Sequence, residues 1–480
     1  MVMMGTNSGG GDLLLRLDRT GPRPLRAQLE EELRGAIRDG RLAADSRLPP
    51  TRSLAADLGV SRRLVVDSYA QLLAEGYLTA RAGAGTFVAG GAVSATAAPP
   101  APAPRALRYD FFPGSPDLAG FPRRAWLRAQ RTVLREAPDS ALGYPDPRGA
   151  PELRRALAGH LRRVRGVAAD ESTVLVCAGA AQAVALLAGV LGAGAEVAVE
   201  DPGLPLHREI LAAAGTVLAE LPVDEHGARV EALERCYPAA VLVTPAHQSP
   251  TGSALAADRR AALLTWARSR ETLVIEDDYD AEFRYDRQPL GALQGLAPDR
   301  VAYMGTVSKT LAPALRLGWL VLPEPLMGAV AEHKRLADAG SPTLEQLALA
   351  RLIESGDYDR HLRQARRRYR ARRDALVAAV ARHLPGARVT GVAAGLHAIV
   401  RLPHAVDGLA LMQAAASRSV GVYPLGFGYL RPRPLDDGLV LGYANLAEPA
   451  IEEGVRLLAL ALEGLASKPA AANEGGAIAR

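Results

Sequence analysis

Tyr303-Met-Gly-Thr-Val-Ser-Lys-Thr-Leu-Ala-Pro-Ala-Leu-Arg316 decides how this chain is read. A short apolar run leads into small polar residues, and a lysine stands among them. Lysine is nearly missing elsewhere: of 57 basic residues only Lys309, Lys334 and Lys468 are lysines. A guanidinium cannot do the covalent work of an amine, because only a deprotonated amine forms a Schiff base with an aldehyde. Lys334 lies in the charged run Glu332-His-Lys-Arg335 and Lys468 near the C-terminus. Both are expected to be solvated surface residues. Lys309 is the candidate for chemistry.

Its neighbours supply what a phosphorylated pyridine aldehyde needs. A carboxylate keeps a pyridine nitrogen protonated, and Asp277, ending the strand-like Leu273-Val-Ile-Glu-Asp, is the candidate. Tyr279 can donate to the phenolic oxygen of such a ring. Phosphate binding needs backbone N–H groups at a helix start plus a cation. Gly179, Ala180 and Ala181, between an apolar run and a helical pattern, offer the first; Arg316, with the hydroxyls of Thr306 and Ser308, offers the second. The implied cofactor is pyridoxal 5'-phosphate. His247 and Gln248 precede Pro250-Thr-Gly and are read either as ring contacts or as local backbone caps. Nothing has metal-ligand spacing.

Further outward, 480 residues suggest two or three domains. The 49% apolar and 23% charged composition is that of a globular protein, and a net charge of +5 requires any DNA-binding surface to be local. Two cysteines, Cys177 and Cys236, fit a reducing compartment and a cytoplasmic location. Val174 to Val199 is long and apolar, but its internal glycines and Gln182 make it strand, loop, helix and strand; no membrane partner is expected.

The Ala- and Pro-rich stretch from Ala89 to Arg105 reads as an extended linker. The expected layout is a disordered N-terminus over 1–20, a small domain over 21–88 and a linker over 89–108. A large α/β domain over 109–466 and a disordered tail over 467–480 complete it. In the large domain, apolar runs at Val174–Cys177, Glu196–Val199, Ala240–Val243, Leu273–Ile275, Val301–Met304 and Trp319–Leu322 alternate with helical patterns. That alternation predicts a mostly parallel sheet covered on both faces, followed by a long helix from about Tyr358 to His383 and a smaller α+β subdomain.

In the small domain, Leu25, Leu29, Leu33 and Ile37 form one helical stripe. A second helix fits Thr51 to Leu58, with Thr51 as N-cap and Gly59 as stop. Ser61 caps a third, running to about Ala74, and a hairpin with Gly83 and Gly85 follows. This is a winged helix-turn-helix. Arg52, Arg62 and Arg63 stand where a recognition helix meets base edges and phosphates, and Thr86 and Arg81 place the wing on the backbone of operator DNA. A helical bundle used for protein contact is the competing reading.

The run Arg47-Leu-Pro-Pro-Thr-Arg52 through Gly59-Val-Ser-Arg62, with Gly83-Ala-Gly-Thr-Phe-Val88, resembles the GntR-type winged helix. Leu64 and Asp67 depart from the usual pattern, and Asp67 must either turn from phosphate or accept from a cytosine amine. The motifs Gly143-Tyr-Pro-Asp-Pro-Arg-Gly149, Glu200-Asp-Pro-Gly203, Pro245-Ala-His-Gln-Ser-Pro-Thr-Gly252, Glu276-Asp-Asp-Tyr-Asp280, Ser308-Lys309 and Leu441-Gly-Tyr-Ala444 resemble fold-type I aminotransferases. Together the halves are similar to the MocR subgroup of GntR-like regulators, from about Leu25 to Leu465. The resemblance implies a homodimer with swapped DNA-binding domains, in which Tyr144 reaches the partner's phosphate; an ordinary core tyrosine is the alternative.

Three departures bear on chemistry. Leu204 replaces an aromatic that stacks on the cofactor ring, and Ala180 a hydroxyl at the phosphate. Val440 stands where transaminases hold the substrate carboxylate with arginine; Arg431 and Arg433 are the nearby substitutes. A missing charge-assisted contact costs about 1.5–3 kcal/mol. The expected function is therefore a regulator that senses pyridoxal phosphate, an amine or an amino acid by exchange at Lys309. A working aminotransferase with an appended DNA-binding domain is the rival. The arginines of the long helix, Arg360 to Arg373, read as a solvated face that could also hold DNA.

Overall fold

The computed structural model describes residues 15–90, 107–286 and 290–466. The chain divides into two compact units, one ending at Arg105 and the other beginning at Ala106. The expected tail over 467–480 and most of the expected linker lie outside the described residues.

The first unit has helices α1 (Leu25–Arg38), α2 (Thr51–Leu58) and α3 (Arg62–Ala74), then strands β1 (Leu78–Arg81) and β2 (Gly85–Val88), paired antiparallel. Leu29, Leu33, Leu54, Val65, Tyr69, Leu72 and Val88 form one core. The Ser61 hydroxyl accepts from Leu64 N at 3.2 Å and fixes the start of α3. Gly59 ends α2 at φ +63°, a conformation that disfavours a side chain. Two expectations need correction. Thr51 is not the cap of α2; Pro50 occupies that position and Thr51 is the first helical residue. Of the expected disordered N-terminus, residues 1–14 lie outside the described residues, but 15–20 are not loose: Leu15 and Leu17 pack on the core, and Arg19 donates to the carbonyls of Leu58 and Gly59 at 2.9 and 2.7 Å.

The first α-helices of the second unit are α4 (Arg123–Glu136) and α5 (Pro151–Arg165). Then come β3 (Val174–Cys177), α6 (Ala180–Leu191), β4 (Glu196–Asp201), α7 (Pro205–Ala213), β5 (Val217–Asp224) and β6 (Gly227–Ala228). The sheet continues through β7 (Ala240–Val243), α8 (Ala257–Arg270), β8 (Leu273–Asp277), β9 (Val301–Thr306) and β10 (Gly318–Val321). Its order is β3-β10-β9-β8-β7-β4-β5-β6. The run from β9 to β5 is parallel, whereas β10 and β6 run against their neighbours. The sheet is therefore mixed, with a parallel centre.

Both faces are covered, as the continuous apolar strands require. Leu175, Cys177, Leu320 and Met304 face α6, α7 and α9 (Glu324–Asp338). Alternate residues Val174, Val176, Val321 and Tyr303 face α4, α5 and α10 (Thr343–Glu354). Helix α11 (Asp357–His383) leads to a smaller sheet of β11 (Arg388–Thr390), β12 (His397–Asp407), β13 (Tyr423–Pro424) and β14 (Leu435–Gly442). Its order is β11-β12-β14-β13, with α11 and the last helix, α12 (Glu448–Ala466), sharing its core. The long stretch Val174 to Val199 is strand, helix and strand, and no helix among the described residues is long and apolar enough to cross a membrane.

Candidate functional site

Open α/β sheets present ligand sites beyond the carboxyl ends of their parallel strands. Here those ends carry Gly179, Asp201, Thr244, Asp277 and, one turn past β9, Lys309. The half-buried Lys309 points its Nζ at the Gly114 carbonyl, 2.8 Å away. Burial lowers its affinity for a proton, opposed by Asp280 and Asp277. Gly114 has φ +81°, and a Cβ there would stand 3.0 Å from Nζ, so glycine keeps the amine's surroundings open.

Asp277 is almost wholly buried, and its Oδ1 has no hydrogen-bond partner. Burial, with Asp278 and Asp280 adding to it, pushes its carboxyl well above the carboxylate range. A buried acceptor left unsatisfied is costly. Such an orphan suits a protonated ring nitrogen. His207 Nε2 lies 3.8 Å from Asp277 Oδ2, and burial lowers that imidazole to about 4.

The Gly179 loop and Arg316, both expected at the phosphate, lie close together. Gly179 has φ +98° and precedes α6, whose first N–H groups have no partner within the helix. A Cβ on Gly179 would meet Arg316 Nη1 at 3.6 Å, so the guanidinium stands over the loop. The Arg316 guanidinium has no acceptor among the described residues. The Thr306 hydroxyl is already engaged by Leu317 O at 3.0 Å and Ser308 N at 3.1 Å. It props the turn and also bonds Ser308 Oγ at 2.9 Å.

Lys334 is not a solvated residue. Its side chain is fully buried and its Nζ contacts both oxygens of Asp338 at 2.9 and 2.7 Å. Asp338 accepts from Gln182 Nε2 at 2.7 Å, and Gln182 Oε1 accepts from Ala178 N at 2.7 Å. The chain of bonds ties α9 to the loop before α6. An i, i+4 pair in a charged run gave no sign of this depth.

Tyr279 and His247 meet each other: Tyr279 Oη lies 3.1 Å from His247 Nδ1, and both Asp280 oxygens straddle that nitrogen at 3.1 and 3.0 Å. The Nδ1 proton therefore goes to Asp280, and the Tyr279 hydroxyl keeps its own hydrogen. Of the His247–Gln248 pair, Gln248 caps local backbone, donating to Ser249 O at 2.7 Å and accepting from Thr251 N at 2.9 Å. Gln248 bonds Glu200, Pro202 and Ser249. Glu200, buried beneath Leu204, is pushed by burial up to about 7.

Sequence reading missed Asp280, His207 and His397. His397 sits on β12, donates from Nε2 to Pro250 O, 3.0 Å away, and has an unpartnered buried Nδ1. Only the doubled carboxylates around Tyr279 hinted at the first; nothing local marked the histidines.

Val440 lies in an apolar cluster with Ile399 and Leu425, with Tyr423 and Tyr429 packed beside them. Arg431 and Arg433 are exposed, and the Arg433 guanidinium stacks 3.7 Å above the Tyr429 ring. Tyr144 is 96% exposed in the single chain, which removes the core reading, and Leu204 is 40% exposed.

In the first unit, Arg52, Arg62 and Arg63 project into solvent from the starts of α2 and α3. Asp67 is 3.8 Å from Arg63, so its charge is partly met within α3. Thr86 lies on β2, whereas Arg81 is engaged by Asp45 at 2.6 Å and stacks on Phe87.

These two units define a class of protein, a DNA-binding winged helix joined to an aminotransferase-type domain. Residues 25–88 match the model for bacterial regulatory proteins of the gntR family, and residues 114–434 that for aminotransferases of class I and II. The chain is 36% identical to the probable rhizopine catabolism regulatory protein MocR of Rhizobium meliloti, over 95% of this chain and 97% of that one. It is 34% identical to the pyridoxine biosynthesis transcriptional regulator PdxR of Corynebacterium glutamicum, over 92% and 96%. It belongs to the MocR subgroup of GntR-family regulators. Among solved structures, Pyrococcus horikoshii kynurenine aminotransferase matches with TM-score 0.70 and 26% identity, over 75% of this chain and 92% of that one. Thermus thermophilus LysN, an alpha-aminoadipate aminotransferase complexed with N-(5'-phosphopyridoxyl)-L-leucine, matches at 0.69 and 29%, over the same shares.

Proposed function

We propose that this protein is a pyridoxal phosphate-dependent transcription regulator whose ligand-sensing chemistry centres on Lys309. The observation that carries the reading is the buried, unpartnered Asp277 carboxylate in the same site as a half-buried lysine amine. Asp277 would face the ring nitrogen, and the loop Gly179-Ala180-Ala181 with Ser308 and Arg316 would take the phosphate. Bound pyridoxal phosphate supplies an aldehyde that condenses reversibly with amines. Lys309 is the resident amine, its proton affinity lowered by burial. Tyr279, its hydrogen free of His247, would donate to the ring oxygen, and Leu204 would cover one ring face.

The effector is an amine, an amino acid or the cofactor itself. Regulation requires that it favour one of two states of the protein, because tight binding to both shifts nothing. Arg52, Arg62 and Arg63 would contact operator DNA, with Thr86 on the wing. The exposed Tyr144 and Leu204 support a homodimer in which a second copy completes the site, and DNA as the target supports a cytoplasmic location. Sequencing the DNA retained by purified protein, with pyridoxal phosphate present and absent, tests the reading. Retention of the same operator at the same affinity in both states overturns it.

Aminotransferase turnover is the second reading, favoured by the likeness to solved aminotransferases. Val440, walled in by Ile399 and Leu425, weighs against efficient amino-acid turnover. Incubation with amino acids and an oxo acid separates the two: Lys309-dependent multiple turnover supports the enzyme, and a single spectral shift supports the regulator.

A further inference from the structure

Helices α4, α5 and α11 contain nineteen arginines and five acidic residues, a net +14. The chain as a whole carries +5, so everything else sums to −9. Helices α4 and α5 pack on one side of the large sheet through Trp126 and Leu157; α11 joins that core at Tyr358, and its later turns pack through Ala365 and Tyr369 into the core of the smaller subdomain. Their ends are tied by carboxylates at the start of α11. Asp357 pairs with Arg128 of α4 at 3.1 Å, and Asp359 pairs with Arg163 of α5 at 2.8 Å. Those two carboxylates are thereby matched, and Asp374, one turn beyond Arg370, is the exposed carboxylate left on α11.

Arg124, Arg131, Arg363, Arg367 and Arg370 are exposed and form no ion pair among the described residues. The last three stand at i, i+4 and i+7, on one stripe of α11. At 1.5 Å rise per residue the stripe is about 10 Å long. That is roughly three steps of a DNA strand at about 3.4 Å of axis per phosphate. A second copy of this chain is a poor occupant, because a twofold contact would set the same positive patch against itself.

We infer that this arginine face of the aminotransferase-type unit binds the phosphate backbone of duplex DNA, as a contact additional to the winged helix. Charge complementarity selects the partner: the family's own ligand is a dense polyanion, and guanidinium–phosphate contacts need no base sequence. The inference rests on the DNA-binding half of the proposed function and is independent of Lys309. It adds affinity and salt dependence without adding specificity, so flanking DNA of any sequence strengthens retention.

The test uses full-length protein loaded with pyridoxal phosphate and a random-sequence duplex, followed by fluorescence anisotropy across a salt series. Two variants are compared singly and together: Arg363→Gln/Arg367→Gln/Arg370→Gln, and Arg52→Ala/Arg62→Ala/Arg63→Ala. Each lost phosphate contact lowers the log–log salt slope by about 0.9, so the glutamine variant is expected to lower it by about 2 to 3. The winged-helix variant is expected to keep weak, salt-sensitive binding that the combined variant loses. Unchanged melting temperature and cofactor absorbance in the glutamine variant exclude a folding effect. An unchanged slope overturns the inference, as does complete loss of binding in the winged-helix variant alone. So does a face that loses affinity for polyglutamate or anionic vesicles while its DNA slope stays the same.

Discussion

Replacing Asp277 by asparagine should move two properties in opposite directions. In the cofactor-free protein the carboxyl is buried with one oxygen unpartnered, and its proton affinity is raised chiefly by that burial. Leaving a buried acceptor unmet costs about 1–3 kcal/mol, and more when it is charged. Asparagine keeps the shape and removes the charge but brings an amide that also needs partners. The expected gain for the apo form is therefore near the low end, about 1 kcal/mol. The loaded form loses instead. A charge-assisted bond to a ring nitrogen is worth about 1.5–3 kcal/mol, which is roughly ten- to a hundredfold in affinity. Because the folded pKa is raised, the folded state holds its proton more tightly. Wild-type apo stability should then fall as pH rises above the unfolded value of about 3.9, and the asparagine variant should lack that contribution. Urea denaturation of the apo protein at several pH values gives the first quantity, and titration with pyridoxal phosphate followed by absorbance gives the second. A variant that binds the cofactor within twofold of wild type, or an apo form that loses stability, refutes this account of Asp277.

Further outcomes follow from the same geometry. Borohydride reduction of the loaded protein should leave a mass adduct on Lys309, and Lys309→Arg should abolish it, since a guanidinium cannot condense at neutral pH. Lys334→Met keeps the buried stem but leaves Asp338 without its ammonium; a loss of about 1.5–3 kcal/mol in chemical denaturation is expected, and no change would mean the pair contributes nothing. Glu200→Gln should flatten the decline in apo stability between about pH 5 and 7, because burial raises that carboxyl to about 7 and the folded state holds its proton through that interval. Ser61→Ala removes the cap of α3 and should cost about 1 kcal/mol in the winged-helix unit, read by thermal unfolding, with weaker DNA retention.

How much of this was legible depended on whether the signal was local. Ser61, Gly59 and the alternation of strands with helices follow from nearest-neighbour chemistry, and they stand where the sequence places them. Lys309 was found by scarcity and Asp277 by its position at a strand end. The mixed direction of the sheet was not legible, because β10 reads as another apolar run whichever way it points. Lys334 misled for a related reason: a charged helical stretch looks solvated until another helix, here α6, closes over it. Gly114 is 195 residues from Lys309, and His397, on a strand of the smaller sheet, has its ring 5.2 Å from that of His247, in the loop after β7 of the large sheet. Such partners are chosen by the folded arrangement, and no local pattern announces them.

The burial of Lys334 has an effect on selectivity. Aldehydes condense with any free amine, so a surface studded with lysines would collect the cofactor at many places and blur whatever concentration the protein reports. This chain has three ε-amines in all; one is sealed against Asp338 and one stands in the pocket. Arginine elsewhere supplies positive charge that is inert toward carbonyls, so an aldehyde meets very little competition on its way to the site where it is meant to be read.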